Sequence, residues 1–405
     1  METVHLDTDV CVAGGGPAGL AAALLLLRAG HRVTVLERHA DFEREYRGEV
    51  LMPRFIQMFR ALNLLEYVES QEHLKLEGLE IFFRAWRIAK LRIRNVVPEA
   101  PYALWMPQPI LLRALNEKAK TFPGYSIHFS APATELLNEG GKTVGVVSVQ
   151  KDKRLEIRAK VTIGADGRSS AVSRLGGFTH EYDQHDFDIV WFSVPRPADY
   201  GRTLHGFFAP GRNYLILPKY PDLLQCGLVM KPGEYQKILH EGVARLRGEL
   251  LKAHPVLHPF AESLKDFEPF VLLQARVHLV KEWAKDGCLL IGDAAHTCSP
   301  AGAVGVSVAC ETAIAAAEVV SKALRSGDVS KEVLGEVQKR REQDIRDIHA
   351  VQKRVARGVA AFNPVLAGFA AVFIFFASKT PLFPRLLRRL AALPRALNVP
   401  DEFRF

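Results

Sequence analysis

The hydrophobic positions of this 405-residue chain change period along its length, and each change predicts a different kind of element. Residues 10 to 37, VCVAGGGPAGLAAALLLLRAGHRVTVLE, run from a short apolar stretch through glycines into a helix-length apolar stretch and end in VTVL. That order predicts strand, turn, helix and strand, a βαβ unit close to the N-terminus. From Arg47, RGEVLMPRFIQMFRALNLLEYV sets Leu51, Phe55, Met58, Phe59, Leu62 and Leu65 at helical spacing, so one amphipathic helix is expected, with Arg47 in the turn before it. Residues 78 to 97 alternate and read as strands. Met106 to Lys120 returns to the helical period, with Pro109 suited to its first turn and Gln108 just ahead of it. Residues 125 to 163 read as short strands with a hairpin at Glu139 to Lys142. They lead into VTIGADGRSSAVSRLGG, a strand ending at Gly164, an Asp166-Gly167 turn and a short helix with Ser173 and Arg174.

Between residues 178 and 285 the runs DIVWFSVP, TLHGFFAP, NYLILP and LLQCGLVM alternate and predict a mostly antiparallel sheet. Trp191, His205, Phe207 and Tyr214 are candidates for its inward face, as packing or as contacts to a substrate. At Cys288 an apolar strand, CLLIG, runs into GDAAHTCSPAGAVG and then an alanine-rich helix. His296 in that stretch has no partner at metal-ligand spacing, so no metal is expected. A long charged helix follows, about Lys331 to Ala361. Residues 362 to 405 carry VLAGFAAVFIFFA, 13 uncharged residues against the ~20 a membrane span needs. Next comes PRLLRRLAALPRAL, with Leu386, Leu387, Leu390 and Leu393 on one helical face and Arg385, Arg388 and Arg389 on the other. Two readings of this end stand side by side: packing on the rest of the chain, or a helix lying in a membrane interface.

Charge narrows the partners. The net charge is +8, yet the basic residues are not interleaved with any nucleic-acid-binding motif, which leaves anionic dinucleotides and a membrane surface. The five cysteines lack a C-x-x-C pair and read as buried thiols of a reducing compartment. Residues 1 to 9 carry three acids (Glu2, Asp7 and Asp9) and no apolar run, so a cytoplasmic protein is expected, with peripheral contact to the inner face of a membrane on the second reading of the C-terminus.

The candidate chemistry lies in the turns. Gly14, Gly16 and Gly19, with Ala18 between them, have G-x-G-x-x-G spacing after a strand and before a helix. The first glycine permits the tight turn, the second lets a pyrophosphate approach the backbone, and the third lets the helix pack on the strand. Glu37, about 20 residues further on, ends the second strand where a carboxylate can accept the hydroxyls of a ribose. The Asp166-Gly167 turn repeats the theme of strand, turn and helix N-terminus, as does Asp293 followed by the small-residue loop Pro300, Gly302 and Gly305.

These three motifs in this order resemble the single-component flavin monooxygenases of the para-hydroxybenzoate hydroxylase type, over roughly residues 9 to 360. The resemblance implies an α/β fold: a doubly wound, Rossmann-like FAD-binding domain (1–77, 104–177 and 286–361), an antiparallel-sheet substrate domain (78–103 and 178–285) and C-terminal helices (362–405). It implies that the first glycine turn holds the FAD pyrophosphate and that Glu37, with Arg38 beside it, holds the adenosine ribose. By the same resemblance Asp293 binds the ribityl chain, and Asp166 and Gly167 serve FAD and NAD(P)H. Gln108 touches the ribityl chain or flavin ring, Arg47 handles FAD and gates its movement, and Pro300 to Gly305 lies by the isoalloxazine. The chain departs from the family at Ala303, Val304 and Ser307, where Gly-Gln-Gly and a later Asn are usual, and at Thr312-Ala313, where Asp-Ala is usual. It has no W-x-W-x-I-P motif, which speaks against the related halogenases. The implied activity is an NAD(P)H-driven hydroxylation or epoxidation of an activated aromatic, quinone or quinolone-type ring, with O2 delivered through a flavin C4a-hydroperoxide. A prenyl-lipid reductase on the same fold, or a membrane-associated flavoprotein without oxygenase activity, is the alternative.

Overall fold

The computed structural model describes residues 2–43, 49–150, 153–209, 212–359 and 364–405. Its first sheet has five parallel strands in the order Cys288–Leu290, Lys153–Gly164, Glu2–Ala13, Val33–Leu36 and Tyr125–His128. The hairpin Ala133–Glu139 and Lys142–Gln150 pairs with Lys153–Gly164 at one side, turning through Gly140 and Gly141 at positive φ as the sequence predicts. Parallel strands expose apolar faces on both sides and must be covered. Helix Pro17–Arg28 does this with an unbroken buried run from Ala18 to Leu27, lying between the sheet and helix Gly305–Ser326. A helix apolar all round belongs inside. Each of its fully buried leucines contributes about 1.5–3 kcal/mol.

The second sheet runs His296–Thr297, Val271–Val280, His180–Pro195, Leu223–Met230, Arg212–Lys219, Thr203–Ala209, Gly78–Phe83 and Trp86–Arg92. It is antiparallel except where Thr203–Ala209 lies parallel to Gly78–Phe83. One face packs on helices Glu234–Glu241, Val243–Leu251 and His258–Ser263, which the alternating pattern of 178 to 285 did not anticipate. Its edge strand His296–Thr297 begins at the last residue of the GDAAH motif, so that motif links strand Cys288–Leu290 of the first sheet to the second. A third sheet of three short strands, Val50–Leu51, Ala103–Trp105 and Leu74–Leu76, packs on the remaining face through Trp105 and Leu217.

Three sequence expectations change. The single helix expected after Arg47 is a strand, Val50–Leu51, followed by helices Pro53–Ala61 and Leu65–Glu69. Pro53 disfavours a helical residue before it, so Met52 is extended (ψ 163°) and Leu51 pairs with Leu104. All six apolar positions are nevertheless buried. The charged helix is also divided, into Lys331–Leu334 and Glu336–Val359, at Gly335. At the C-terminus, helix Leu382–Ala391 turns Leu387 and Leu390 into the main core, and Arg388 donates to the Val96 carbonyl at 2.9 Å. The apolar stripe that stays in solvent is on helix Pro364–Ala377 instead, where Phe369 and Phe373 are 71 % and 72 % exposed. Among the described residues no helix is long and apolar enough to cross a membrane.

Candidate active site

Because the strands Glu2–Ala13, Lys153–Gly164 and Cys288–Leu290 are parallel neighbours, the turns that follow them emerge on one edge of the sheet. This is where open α/β sheets bind ligands. The Ala165 N–H donates to the Ala13 carbonyl at 2.7 Å, and the Ile291 N–H to the Gly164 carbonyl at 2.9 Å. Gly14 (φ 110°) lies so close to the second turn that a Cβ there would be 2.4 Å from the Ala165 carbonyl oxygen. A Cβ on Gly19 would be 1.9 Å from the Gly14 oxygen, and one on Gly292 would be 2.8 Å from the Ala18 Cβ. Three motifs far apart in sequence therefore touch through positions that only glycine or alanine can occupy. Helix Pro17–Arg28 starts at Gly16 and helix Gly305–Ser326 at Val304, neither with a side-chain cap. Their first N–H groups are left for an anionic ligand.

The acids of the three motifs have different surroundings. Glu37 is 2 % exposed. Its carboxylate accepts the Gly15 N–H at 2.9 Å and the His39 N–H at 3.0 Å, which holds it under the glycine turn. Arg38 beside it is exposed, with Nε 3.1 Å from His39 Nε2. The Asp166 carboxylate is occupied within the protein: it accepts Ser170 Oγ at 2.5 Å and the Ala171 and Val172 N–H groups at 2.7 and 3.1 Å. Burial pushes its pKa up, and those hydrogen bonds pull the other way. Asp166 thus caps helix Ala171–Leu175 together with Ser170, whose Oγ accepts the Ser173 N–H at 2.9 Å. Gly167, at φ 84°, faces open space. Asp293 is joined by Arg168 Nε at 3.3 Å, a contact between the second and third motifs. Gln108 opens helix Gln108–Lys120, is buried, and makes no side-chain hydrogen bond among the described residues. Arg47 lies outside the described residues.

The loop after Asp293 is held from behind. Gln352, fully buried on the charged helix, accepts the Ser299 N–H at 3.1 Å and donates to the Ser299 and Ala301 carbonyls at 2.8 and 2.7 Å. Pro300 accepts the Ala303 N–H at 3.1 Å, and the chain passes through Gly302 (φ 83°) and Ala303 (φ 51°) before Gly305 begins the helix. Gln352 escaped the sequence reading. Its only signal was spacing, since Ile345, Ile348 and Gln352 recur on one buried face of a charged helix. His296 is paired with Thr312 Oγ1 at 2.8 Å, and burial holds its pKa well below the ordinary value.

The four aromatic candidates do not share a face. Trp191 pairs with Gly227, whereas Tyr214 pairs with Leu228 and Phe207 with Tyr214, so the last two point to the other side of the sheet. There Phe207 stacks on Tyr214 with centroids 4.7 Å apart, and the Tyr214 hydroxyl donates to the Ala253 carbonyl at 3.1 Å. His205 is on that side too, 2.9 Å from the Tyr200 hydroxyl. These three are the packing of helices 234–263. Trp191 is on the opposite face, where it packs against the Phe187, Ile189 and Val229 cluster that Ala301 of the loop also packs on, and against the cluster of Trp105 and Leu217.

The glycine positions that a Cβ would fill, the two uncapped helix starts and the buried acid beside the first turn fit a flavin dinucleotide. A family model described as FAD binding domain matches residues 7–350. The chain is 34 % identical over 397 residues to 6-methylpretetramide 4-monooxygenase of Streptomyces rimosus, covering 98 % of this chain and 94 % of that one. Among solved structures, p-nitrophenol 4-monooxygenase PnpA of Pseudomonas putida superposes with a TM-score of 0.79 at 21 % identity, covering 97 % and 99 % of the two chains. P. aeruginosa PqsL in complex with 2-aminobenzoylacetate superposes with a TM-score of 0.78 at 22 % identity, covering 91 % and 99 %. The chain therefore belongs to the FAD-binding domain family, and within it to the single-component FAD-dependent monooxygenases of the para-hydroxybenzoate hydroxylase type.

Proposed function

We propose that this monooxygenase uses NAD(P)H and O2 to hydroxylate or epoxidise an activated aromatic or quinone-type ring held between the Pro300–Gly305 loop and the sheet face that carries Trp191. The observation that carries the reading is the convergence of three dinucleotide turns on one sheet edge, with Trp191 and Ala301 of the loop packed against one shared cluster. Support for an aromatic substrate comes from the relative that acts on 6-methylpretetramide. Bound there, FAD supplies the redox chemistry, taking electrons from NAD(P)H and activating O2 for transfer of one atom to the ring. The protein's own part is positional. The Gly14–Gly19 turn and its helix start take the pyrophosphate, Glu37 and Arg38 the adenosine ribose and its surroundings, and Asp293 and Gln108 the ribityl chain. The loop pinned by Gln352 presents backbone N–H groups of helix Gly305–Ser326 to negative charge on the flavin. Trp191, Trp105 and the sheet behind them exclude water.

The test is to follow NAD(P)H and O2 together in purified holoenzyme while candidate polycyclic phenols and quinones are added. Substrate-stimulated consumption of both in equal amounts is expected. NAD(P)H oxidation that leaves O2 untouched would instead mark a reductase. We extend the proposal to a lipophilic substrate and peripheral membrane contact, supported by the exposed stripe Phe369, Val372, Phe373 and Phe376. Between Lys379 and Phe405 six basic and two acidic residues follow it, net 6 − 2 = +4.

A further inference from the structure

Where the second and third sheets meet, four basic side chains, Lys75, Arg92, Arg94 and Arg202, line an open cleft of about 290 Å³. Local bonding fixes the segments that carry them. The Glu77 N–H donates to the Arg202 carbonyl at 2.8 Å, and the Glu77 carbonyl accepts the Ile93 N–H at 2.9 Å, so one residue ties Arg202 to the Arg92–Arg94 segment. Beside it Gly78 lets strands Gly78–Phe83 and Trp86–Arg92 close up, since a Cβ there would be 2.4 Å from the Leu91 carbonyl oxygen. Lys75, on strand Leu74–Leu76, donates to Glu69 at 3.1 Å and stands 4.2 Å from the centroid of the Tyr102 ring, whose hydroxyl donates to the same carboxylate. Lys75 is therefore neutralised within the wall of the cleft. Burial and the Glu69 carboxylate push the Tyr102 phenol up to about 12, so it adds no charge.

The three arginines are placed differently. On the same strand as Arg92, Arg87 and Lys90 both pair with Glu80, at 3.2 and 3.1 Å. Arg92, Arg94 and Arg202 make no ion pair and no side-chain hydrogen bond among the described residues. Glu77 is the one carboxylate on the lining among those residues, which leaves 3 − 1 = +2 inside one concavity. Like charges gathered in a cleft repel one another and draw anions into it. Guanidinium forks match phosphate oxygens two at a time, and a phosphate monoester carries about −1.5 to −2 at neutral pH, which balances the cleft. Pro101 and the Tyr102 ring give the cleft an apolar side for the carbon that bears the phosphate.

We propose that this cleft is a binding site for a doubly charged phosphate group, separate from the flavin site and held by Arg92, Arg94 and Arg202. Its volume falls just below the roughly 300–1,000 Å³ of pockets that enclose a whole small ligand, so it takes a phosphate and a few attached atoms rather than a dinucleotide. Tyr102 leads into strand Ala103–Trp105, whose Trp105 shares a cluster with Trp191, so the site sits on the substrate side of the fold. A soluble ester and a lipid headgroup present the same dianion, and the experiment separates them.

The test titrates FAD-loaded protein, its flavin site filled, with glycerol 3-phosphate in a calorimeter at low salt. Wild type is expected to bind at one site. Arg94→Gln and Arg202→Gln should each weaken binding about 10- to 100-fold, the loss of a charged hydrogen bond. Arg92→Gln with Arg202→Gln should abolish it, while Lys252→Gln, an exposed cation outside the cleft, should leave it unchanged. Without ligand the double variant should unfold at a temperature no lower than wild type and carry the same flavin content, which separates lost binding from lost folding. Flotation with vesicles that hold phosphatidic acid or, at equal surface charge, phosphatidylglycerol tells the sources apart. A preference for phosphatidic acid that the double variant loses assigns the phosphate to a lipid headgroup. Equal flotation with both lipids, with glycerol 3-phosphate bound, assigns it to a soluble ester. The inference is overturned if wild type binds no glycerol 3-phosphate and shows no preference for phosphatidic acid, or if the double variant behaves as wild type. It is also overturned if Lys252→Gln weakens binding as much as Arg202→Gln, which would mean attraction to net charge alone. No turnover enters the measurement, so the site stands or falls apart from the monooxygenase reading.

Discussion

Asp293 and Arg168 come from turns 125 positions apart and meet at 3.3 Å on the edge where the flavin is proposed to lie. Removing the acid takes away an acceptor for ligand hydroxyls and leaves Arg168 unbalanced. Asp293→Ala should therefore weaken FAD binding by about 1–3 kcal/mol, the cost of one unmade buried hydrogen bond. Fluorescence titration of apoprotein with FAD measures it, and an unchanged affinity would remove Asp293 from the site. Glu49 makes a second prediction through stability. Its pKa in the folded chain is about 7 against an ordinary 4.5, so the native state holds more protons than the unfolded state between those values. Its contribution is then most favourable below pH 4.5 and is lost as pH rises through 7, by roughly 3 kcal/mol for a shift of that size. Glu49→Gln removes the titration. Urea unfolding of both proteins should show the variant gaining on wild type across that window, and parallel curves would mean an ordinary carboxylate.

Helices Pro53–Ala61, Gly305–Ser326 and Glu336–Val359 are joined by a buried charge network rather than by apolar contact alone. Arg54 Nε lies 2.9 Å from Glu311 Oε1, Arg341 reaches Glu311 and Asp344 at 2.6 and 2.8 Å, and Asp344 is 3.7 Å from Arg54. Burial pushes the Glu311 carboxyl up, while Arg341 and Arg54 pull it down. Two cations and two acids balance, but removing one acid strands a buried guanidinium. Glu311→Ala should cost about 3–5 kcal/mol in denaturant unfolding, and Arg54→Met with Glu311→Leu should recover most of it. If the single variant is as stable as wild type, the network is solvated in solution. The C-terminal pair of helices allows a contrasting test. Leu387 and Leu390 of Leu382–Ala391 are committed to the core, so membrane contact depends chiefly on the phenylalanine stripe of Pro364–Ala377. Phe369→Ser with Phe373→Ser should abolish flotation with anionic liposomes at low salt without lowering stability. If wild type itself does not float, the membrane proposal fails.

For the whole molecule, the proposed flavin site is assembled from turns near residues 14, 166 and 293 together with a glutamine at 352, so ligand and fold are coupled. FAD at 100 times its Kd should stabilise the native state by about 2.7 kcal/mol. Thermal unfolding of holoprotein should occur several degrees above apoprotein. Coincident transitions would show that the three turns do not act on one ligand.

What the sequence determined by itself are the features carried by local sterics and local period. The glycine turn at Gly14 and Gly19, the helix behind it, the hairpin at Glu139 to Lys142 and the antiparallel runs of 178 to 285 all follow from neighbouring residues. Positive φ, close approach and alternation need no distant partner to be recognised. Three motifs in order were enough for the family and the cofactor. What the tertiary structure alone decided are matters of register and of partnership between distant segments. Period two tells that Trp191 and Tyr214 alternate with their neighbours, not which of them faces the loop, and only the pairing of Trp191 with Gly227 and of Tyr214 with Leu228 separates them. That Asp166 caps a helix shows only in the fold. Gln352, Arg54 and Glu49 sit in segments that read as solvated or simply apolar. Their roles come from contacts made across long stretches of chain, because a buried polar group is defined by the partner it finds or lacks, and that partner is chosen by the fold.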